Sequence, residues 1–231
     1  MKLLALDTSS ARCSAALWQD GALLQQSSDT ARDHARLILP MIDRLLAEAG
    51  TRLSQLDGIA FGRGPGSFTG LRIAAAVTQG LAAGADLPVL PVSALRALAA
   101  QARDTAPALR EGLLLACMDA RMGEIYWGAF EVQHGLRTAS AFPEVVAAPQ
   151  PLPAQLRGAV VRAAGRGLAA YPGIADWLGL DASACLPAAE PEAADVARLA
   201  AGDLAAGEAA WLDATAAQPV YLRDKVAKMQ S

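Results

Sequence analysis

Two stretches of the chain gather residue types that could hold a charged ligand. The first is Gly62-Arg63-Gly64-Pro65-Gly66-Ser67-Phe68-Thr69-Gly70, a glycine-rich run between an apolar segment and a helical pattern. A turn of this kind, leading from a strand into a helix, brings free backbone N–H groups and the positive end of a helix dipole to one point, which suits an anion. No Lys-Ser/Thr follows its glycines, and Gly64, Gly66 and Gly70 are wrongly spaced for a dinucleotide fingerprint. The plainer reading is a sharp turn with a Ser/Thr helix cap. The second stretch is Asp7-Thr8-Ser9-Ser10, an acid at a strand end followed by hydroxyls. It could hold Mg²⁺-bound water and phosphate oxygens, or form an ordinary Asx or Ser turn. Other reactive sets are missing from the sequence. No Gly-x-Ser-x-Gly elbow surrounds Ser67, and His34 and His134 stand in no zinc-binding spacing. Neither a catalytic set nor a metal site is expected.

The elements that must position these stretches follow from patterning. Residues 3–7, 13–18 and 22–27 read as three strands. Asp20-Gly21 lies between the last two and is a strong hairpin signal. The chain therefore opens as an antiparallel meander, whereas a Rossmann domain passes from its first strand straight to a helix. Residues 34–49 carry Ile38, Ile42, Leu45 and Ala49 on one helical line. Ala35, Leu39, Met41 and Leu46 widen that face well beyond the ~100° stripe needed to cover one sheet. A strand at 56–62 and the glycine-rich turn precede a helix over Phe68–Ala85, which is apolar nearly all round and has a very small flank at Gly70, Ala74, Ala76, Gly80 and Gly84. Such a helix is buried on more than one side, by the rest of the domain or by a partner. A strand at 89–92 and a helix at 94–101 close a first lobe near residue 105. The second lobe, 106–231, reads as strands at 113–117, Glu124–Val132 and 159–164, with turns at 119–123, His134-Gly135 and 165–167. Its proline-rich stretch 142–153 reads as irregular, and 192–207 as a helix.

Composition narrows the function classes. A hydrophobic fraction of 53% supports a large core and excludes disorder as the main state. Net charge is −3, whereas a free-standing nucleic-acid binder shows a basic excess. Residues 1–110 carry 11 Lys/Arg against 9 Asp/Glu, and the remainder 9 against 14, so the second half is the poorer place for a polyanion. Three scattered cysteines (Cys13, Cys117, Cys185) with no CxxC pair, no signal-like start and no apolar run of spanning length point to a cytoplasmic protein with reduced thiols.

Four motifs together carry a family resemblance: the opening Leu-Ala-Leu-Asp-Thr-Ser-Ser, the run Gly64-Pro65-Gly66-Ser67-Phe68-Thr69-Gly70-Leu71-Arg72-Ile73, Asp119-Ala120-Arg121 with Glu124-Ile125-Tyr126, and Pro219-Val220-Tyr221-Leu222-Arg223. They closely resemble the TsaB (YeaZ) family across essentially the whole chain. The resemblance implies an α/β actin-like ATPase (ASKHA) fold, with two ribonuclease-H-like lobes of mixed sheets flanked by helices. It also implies a place in the bacterial machinery that installs N6-threonylcarbamoyladenosine (t6A) at position 37 of tRNAs reading codons that start with A. TsaB is a relative of TsaD, the subunit that transfers the threonylcarbamoyl group, and pairs with it; the ATPase TsaE joins the complex. TsaD carries a Val-Asn-His-x-x-x-His metal motif. The matching residues here run from Val92 to Leu98, with Ala94 and Leu98 at the two histidine positions. A methyl and an isobutyl group hold no metal, so the chain resembles the non-catalytic partner.

On that resemblance Asp7, Thr8, Ser9, Ser10, Gly64, Gly66 and Ser67 are a vestigial phosphate loop. No cofactor is required, and ATP or ADP with Mg²⁺ binds weakly at most. The two apolar helices of the first lobe form the dimerisation face: His34, Ile38, Met41, Ile42, Leu45 and Leu46 on one, and Phe68, Thr69, Leu71, Arg72, Ala74, Ala75 and Thr78 on the other. The expected partners are a TsaD-like subunit in a heterodimer, a TsaE-like ATPase, tRNA through the complex, and a second copy when the chain is alone; no membrane is expected. Ile42→Glu or Ala74→Arg is expected to abolish pairing while the monomer folds. The competing readings are an ASKHA phosphotransferase or ATPase working through Asp7 and the 64–70 loop, and an M22-type peptidase, which the missing histidines disfavour.

Overall fold

The computed structural model describes residues 1–30, 33–106, 109, 111–132 and 138–223. The hairpin signal at Asp20-Gly21 is met: β1 (Lys2–Asp7), β2 (Cys13–Gln19) and β3 (Ala22–Ser28) form an antiparallel meander, with Asp20 and Gly21 both at positive φ. After α1 (His34–Glu48), β4 (Gly58–Gly64) pairs parallel to β1, and after α2 (Phe68–Ala85), β5 (Val89–Ser93) pairs parallel to β4. The first sheet thus has the order β3-β2-β1-β4-β5. Helix α3 (Ala94–Asp104) leads to the second lobe.

There the plan repeats. β6 (Leu113–Arg121), β7 (Glu124–Val132) and β8 (Thr138–Ala147) form a second antiparallel meander. β9 (Val160–Ala164) then pairs parallel to β6, and β10 (Cys185–Leu186) parallel to β9. The order β10-β9-β6-β7-β8 is the first sheet's order again, read from the other edge. Two lobes of one ribonuclease-H-like topology make an ASKHA fold, as the resemblance implies. Short helices α4 (Arg166–Ala170) and α5 (Gly173–Leu178) and the longer α6 (Ala193–Ala206) complete it.

Two sequence readings change, and one is not covered. Residues 142–147, expected to be irregular, are the second half of β8, because Phe142 and Val145 pair with β7 and pack on the second core. The turn expected at 165–167 opens α4. The turn at His134-Gly135 lies outside the described residues.

The helices do not stay with their own lobes. In β1, Leu4 and Leu6 face Ile38, Ile42 and Leu45 of α1, whereas Leu3 and Ala5 face Val196, Leu199 and Ala200 of α6. In β6, Leu115 and Cys117 face Leu168, Ile174 and Leu178 of α4 and α5, whereas Leu114, Ala116 and Met118 face Leu95, Leu98 and Ala102 of α3. This is the period-2 alternation of strands buried on both faces. Each sheet has one face covered by local helices and the other by a helix from the opposite half of the sequence. Alanines at 16, 60, 97, 193, 197 and 200 let α3 and α6 approach the first sheet and each other closely. A boundary at 105 therefore describes the sequence better than the packing, since α6 and the segment to Arg223 return to the first lobe. Among the described residues no helix is long and apolar enough to cross a membrane.

Candidate functional site

The two glycine- and hydroxyl-rich stretches meet, and they meet each other. Asp7 is fully buried at the end of β1. Its Oδ1 accepts hydrogen bonds from the Ser9 backbone N–H (2.9 Å) and the Ser9 hydroxyl (2.8 Å), an Asx turn. Its Oδ2 has no partner and lies against Gly62, where a Cβ would sit 1.9 Å away. A Cβ on Gly66 would come within 2.2 Å of the Ser9 carbonyl oxygen, and one on Gly70 within 1.9 Å of the Thr8 carbonyl oxygen. Glycine is required at all three because the loop packs directly on the Asp7–Ser9 turn. Its hydrogen bonds are also internal. The Ser67 N–H donates to the Ser9 carbonyl (2.7 Å), the Gly70 N–H to the Ser67 hydroxyl (3.3 Å), and the Thr8 hydroxyl to the Gly70 carbonyl (2.7 Å). The Ser67 N–H is thus spent on the neighbouring strand end and the Gly70 N–H on the helix's own cap.

Burial pushes the Asp7 carboxyl up to about 6, against the opposing pull of its Ser9 hydrogen bonds. The folded chain thus holds this proton more tightly than the unfolded chain does. The resulting stability is present below about pH 4 and lost as pH rises to about 6. Asp7→Asn keeps an acceptor for Ser9 and removes the titration. The drop in unfolding free energy between about pH 4 and 6.5, read from urea titrations, is expected to shrink in that variant by an amount on the order of 2 kcal/mol.

Beside this interlock, a cleft of about 800 Å³ opens between the lobes. Ser9, Ser10, Gly66 and Ser67 line one side, Asp119, Arg121 and Tyr126 the other, and Arg166 and Glu190 the remaining wall, with Val220–Arg223 across it. Asp7 and Thr8 do not reach it. Its arginines are paired with the chain's own carboxylates. Arg121 meets Asp119 at 3.0 Å, Arg166 meets Glu190 at 2.7 Å, and Arg223 meets Glu124. A magnesium nucleotide fits these residues poorly. The acid that would hold the ion's water is sealed, the Ser67 and Gly70 N–H groups are occupied, and every described arginine of the lining is paired with a carboxylate. Among the described residues, no three His, Cys, Asp or Glu side chains are grouped to hold a metal. The positions that carry histidine in TsaD, Ala94 and Leu98, are wholly buried against the second sheet.

The expected partner face divides. Ile38, Met41, Ile42 and Leu45 of α1, and Leu71, Ala74, Ala75 and Thr78 of α2, are buried in the chain itself. His34 is buried too, its Nε2 within 3.1 Å of the Ala11 carbonyl. Ile42→Glu would therefore place a carboxylate in the first core and report on folding rather than pairing, and Ala74→Arg would overpack it. Leu46 is half-buried; Phe68, Thr69 and Arg72 are exposed. With Thr69 and Arg72, the exposed line of α2 continues through Ala76, Gly80, Ala83 and Gly84, and on α1 Leu39 is 45% exposed. The small flank was visible in the sequence. Which side of each helix the sheet would take was not.

Comparison with known proteins agrees with this geometry. The family model described as TsaD, tRNA N6-adenosine threonylcarbamoyltransferase, matches residues 26–172. The tRNA threonylcarbamoyladenosine biosynthesis protein TsaB of Escherichia coli is 39% identical over 98% of this chain and 96% of its own length. The chain belongs to the TsaB family. TsaB of Haemophilus influenzae is 50% identical over 55% of this chain and 52% of its own. The solved structure of YeaZ from Pseudomonas aeruginosa superposes with a TM-score of 0.83 at 40% identity, covering 96% of this chain and 99% of that one. In this chain the Asp7 carboxyl is sealed beneath the glycine-rich loop rather than presented to the cleft.

Proposed function

We propose that the chain works in t6A biosynthesis as a non-catalytic subunit that pairs with a TsaD-like transferase. The observation that carries this reading is the outer face of α2. Gly80 sits in the interior of α2, where it costs about 1 kcal/mol relative to alanine, and Gly84 lies in the helix's last turn. A Cβ on either would meet nothing within 4 Å. Nothing inside the chain asks for glycine there, and a second helix laid across the strip would. Ala76 and Ala83 continue the same shallow surface. Arg72 and Asp86 lie equally far on either side of Gln79, so two copies of α2 crossing antiparallel at Gln79 would set each Arg72 against the other's Asp86. An isolated chain then forms a homodimer through this strip, and a TsaD-like subunit with equivalent helices replaces the second copy. A TsaE-like ATPase joins that pair, and tRNA is engaged through the complex.

Ala76→Arg tests the face because Ala76 is exposed and the fold tolerates a long side chain there. At concentrations where the parent is monomeric, its melting temperature is expected to match the parent's. Its affinity for the purified transferase subunit is expected to fall at least about 30-fold, the loss typical of a side chain blocking an interface centre. Threonylcarbamoyl transfer to tRNA by the purified transferase, TsaE-like ATPase and adenylate-forming enzyme is expected to drop to the level seen without this chain. Undiminished co-purification of Ala76→Arg would overturn the face. Transfer that needs no added chain would overturn the role.

A further inference from the structure

After the last 3₁₀ turn (Ala214–Ala216), the chain runs without regular structure through Val220–Arg223 and touches both lobes in four residues. On the first lobe, the Val220 N–H donates to the Arg63 carbonyl at 2.8 Å. The Tyr221 ring packs on Phe68 at 5.5 Å between centroids, and its hydroxyl accepts a hydrogen bond from Arg72 Nε at 3.0 Å. The Arg72 guanidinium carbon lies 3.9 Å over the Phe68 ring, which closes a three-residue cluster. On the second lobe, the Arg223 guanidinium pairs with Glu124 and lies 3.6 Å from the Met122 sulfur. Leu222 lines both the main cleft and a smaller interlobe cavity of about 380 Å³, so its side chain stands between them.

We propose that Val220–Arg223 is a clasp that sets the opening of the interlobe cleft, and that Tyr221 and Arg72 tie that opening to the exposed face of α2. The two anchors differ in kind. Arg223 is largely covered and makes a charge-assisted bond, which holds the second lobe. Tyr221 is 43% exposed and rests on Arg72, itself exposed, so this anchor yields first. Anything laid along α2 that draws the Arg72 guanidinium away removes the hydroxyl's donor and leaves the strap's first-lobe end held only by the Val220–Arg63 bond and the Phe68 ring. Every contact of the clasp lies within one chain, so it is closed in the monomer, and an Arg72–Asp86 pairing between two copies is one of the events that would open it.

The test is the interlobe distance in the full chain, read by double electron–electron resonance. Spin labels are placed at the exposed positions Ser54 and Asp176, one per lobe, in a Cys185→Ser background, at concentrations low enough to keep the chain monomeric. Losing a charge-assisted hydrogen bond shifts such an equilibrium about tenfold or more. Arg223→Ala is expected to raise the population at longer distance by about that factor. Arg72→Ala is expected to move it in the same direction, although no Arg72 contact with the second lobe is described. Tyr221→Phe, which keeps the ring on Phe68, is expected to act like Arg72→Ala and opens no void. An unchanged distribution in both Arg223→Ala and Tyr221→Phe would overturn the clasp. A shift in Arg223→Ala with none in Arg72→Ala would overturn the tie to α2.

Discussion

A chain cut after Thr105 is expected to give two fragments that do not fold separately. Residues 1–105 would keep the first sheet, but the face made by Leu3, Ala5, Ala16 and Ala60 would lose Val196, Leu199 and Ala200 of α6. In the same fragment α3 would hold Leu95 and Leu98 out to water without the second sheet. Residues 106–231 would suffer the converse losses. Full burial of a leucine or valine contributes about 1.5–3 kcal/mol, and domains of this size are stable by only about 5–15 kcal/mol. Uncovering one whole face of each sheet exceeds that margin. Each fragment is expected to lack near-UV circular dichroism and a cooperative thermal transition, and mixing or co-expressing the two should restore both signals. A sigmoidal melt from either fragment alone would contradict the exchange of helices.

The glycines of α2 are expected to respond with opposite signs. Gly70→Ala drives a methyl to within 1.9 Å of the Thr8 backbone oxygen, which cannot swing aside as a side chain would. Either α2 or the Asp7–Ser9 turn must move, and the Thr8 hydroxyl bond to the Gly70 carbonyl goes with it. A loss of about 3 kcal/mol is expected, or about 10 °C in melting temperature for a chain of this length. Gly80→Ala meets open space on the same helix, and the monomer should gain about 0.5–1 kcal/mol. Urea denaturation at concentrations low enough to keep the chain monomeric separates the two. Equal effects would mean that the loop does not interlock with the strand end as described.

The sequence made much of this legible where the signal is local. Apolar runs marked the three strands of the first meander and the first two of the second, though not β8, Asp20-Gly21 marked a hairpin, and Ser67 capped α2 through the Gly70 N–H. It failed where the deciding partner lies far along the chain. The 62–70 loop looks like an anion site because glycine next to hydroxyls reads the same whether it faces a phosphate or the back of Asp7. The apolar arc of α1 gives a face but not its cover, so core and contact surface were merged into one. The helix at 192–207 was found, but its place on the first lobe depends on a sheet nearly two hundred residues earlier. The motif ending in Tyr221 and Arg223 was recognised only as a likeness, since nothing in five residues tells that they touch Arg72 and Glu124.

The exchange of α3 and α6 also bears on how the chain emerges from the ribosome. Once β5 has left the exit tunnel, the first sheet is complete but stays bare on one side until residues 94 to 206 have followed. At about 5–20 residues per second, that wait is roughly 5 to 20 seconds. A nascent chain showing a flat, alanine- and leucine-rich surface for that long is a natural client for chaperones that bind during translation. Slowing translation across the second lobe should lower soluble yield without altering the stability of the finished protein.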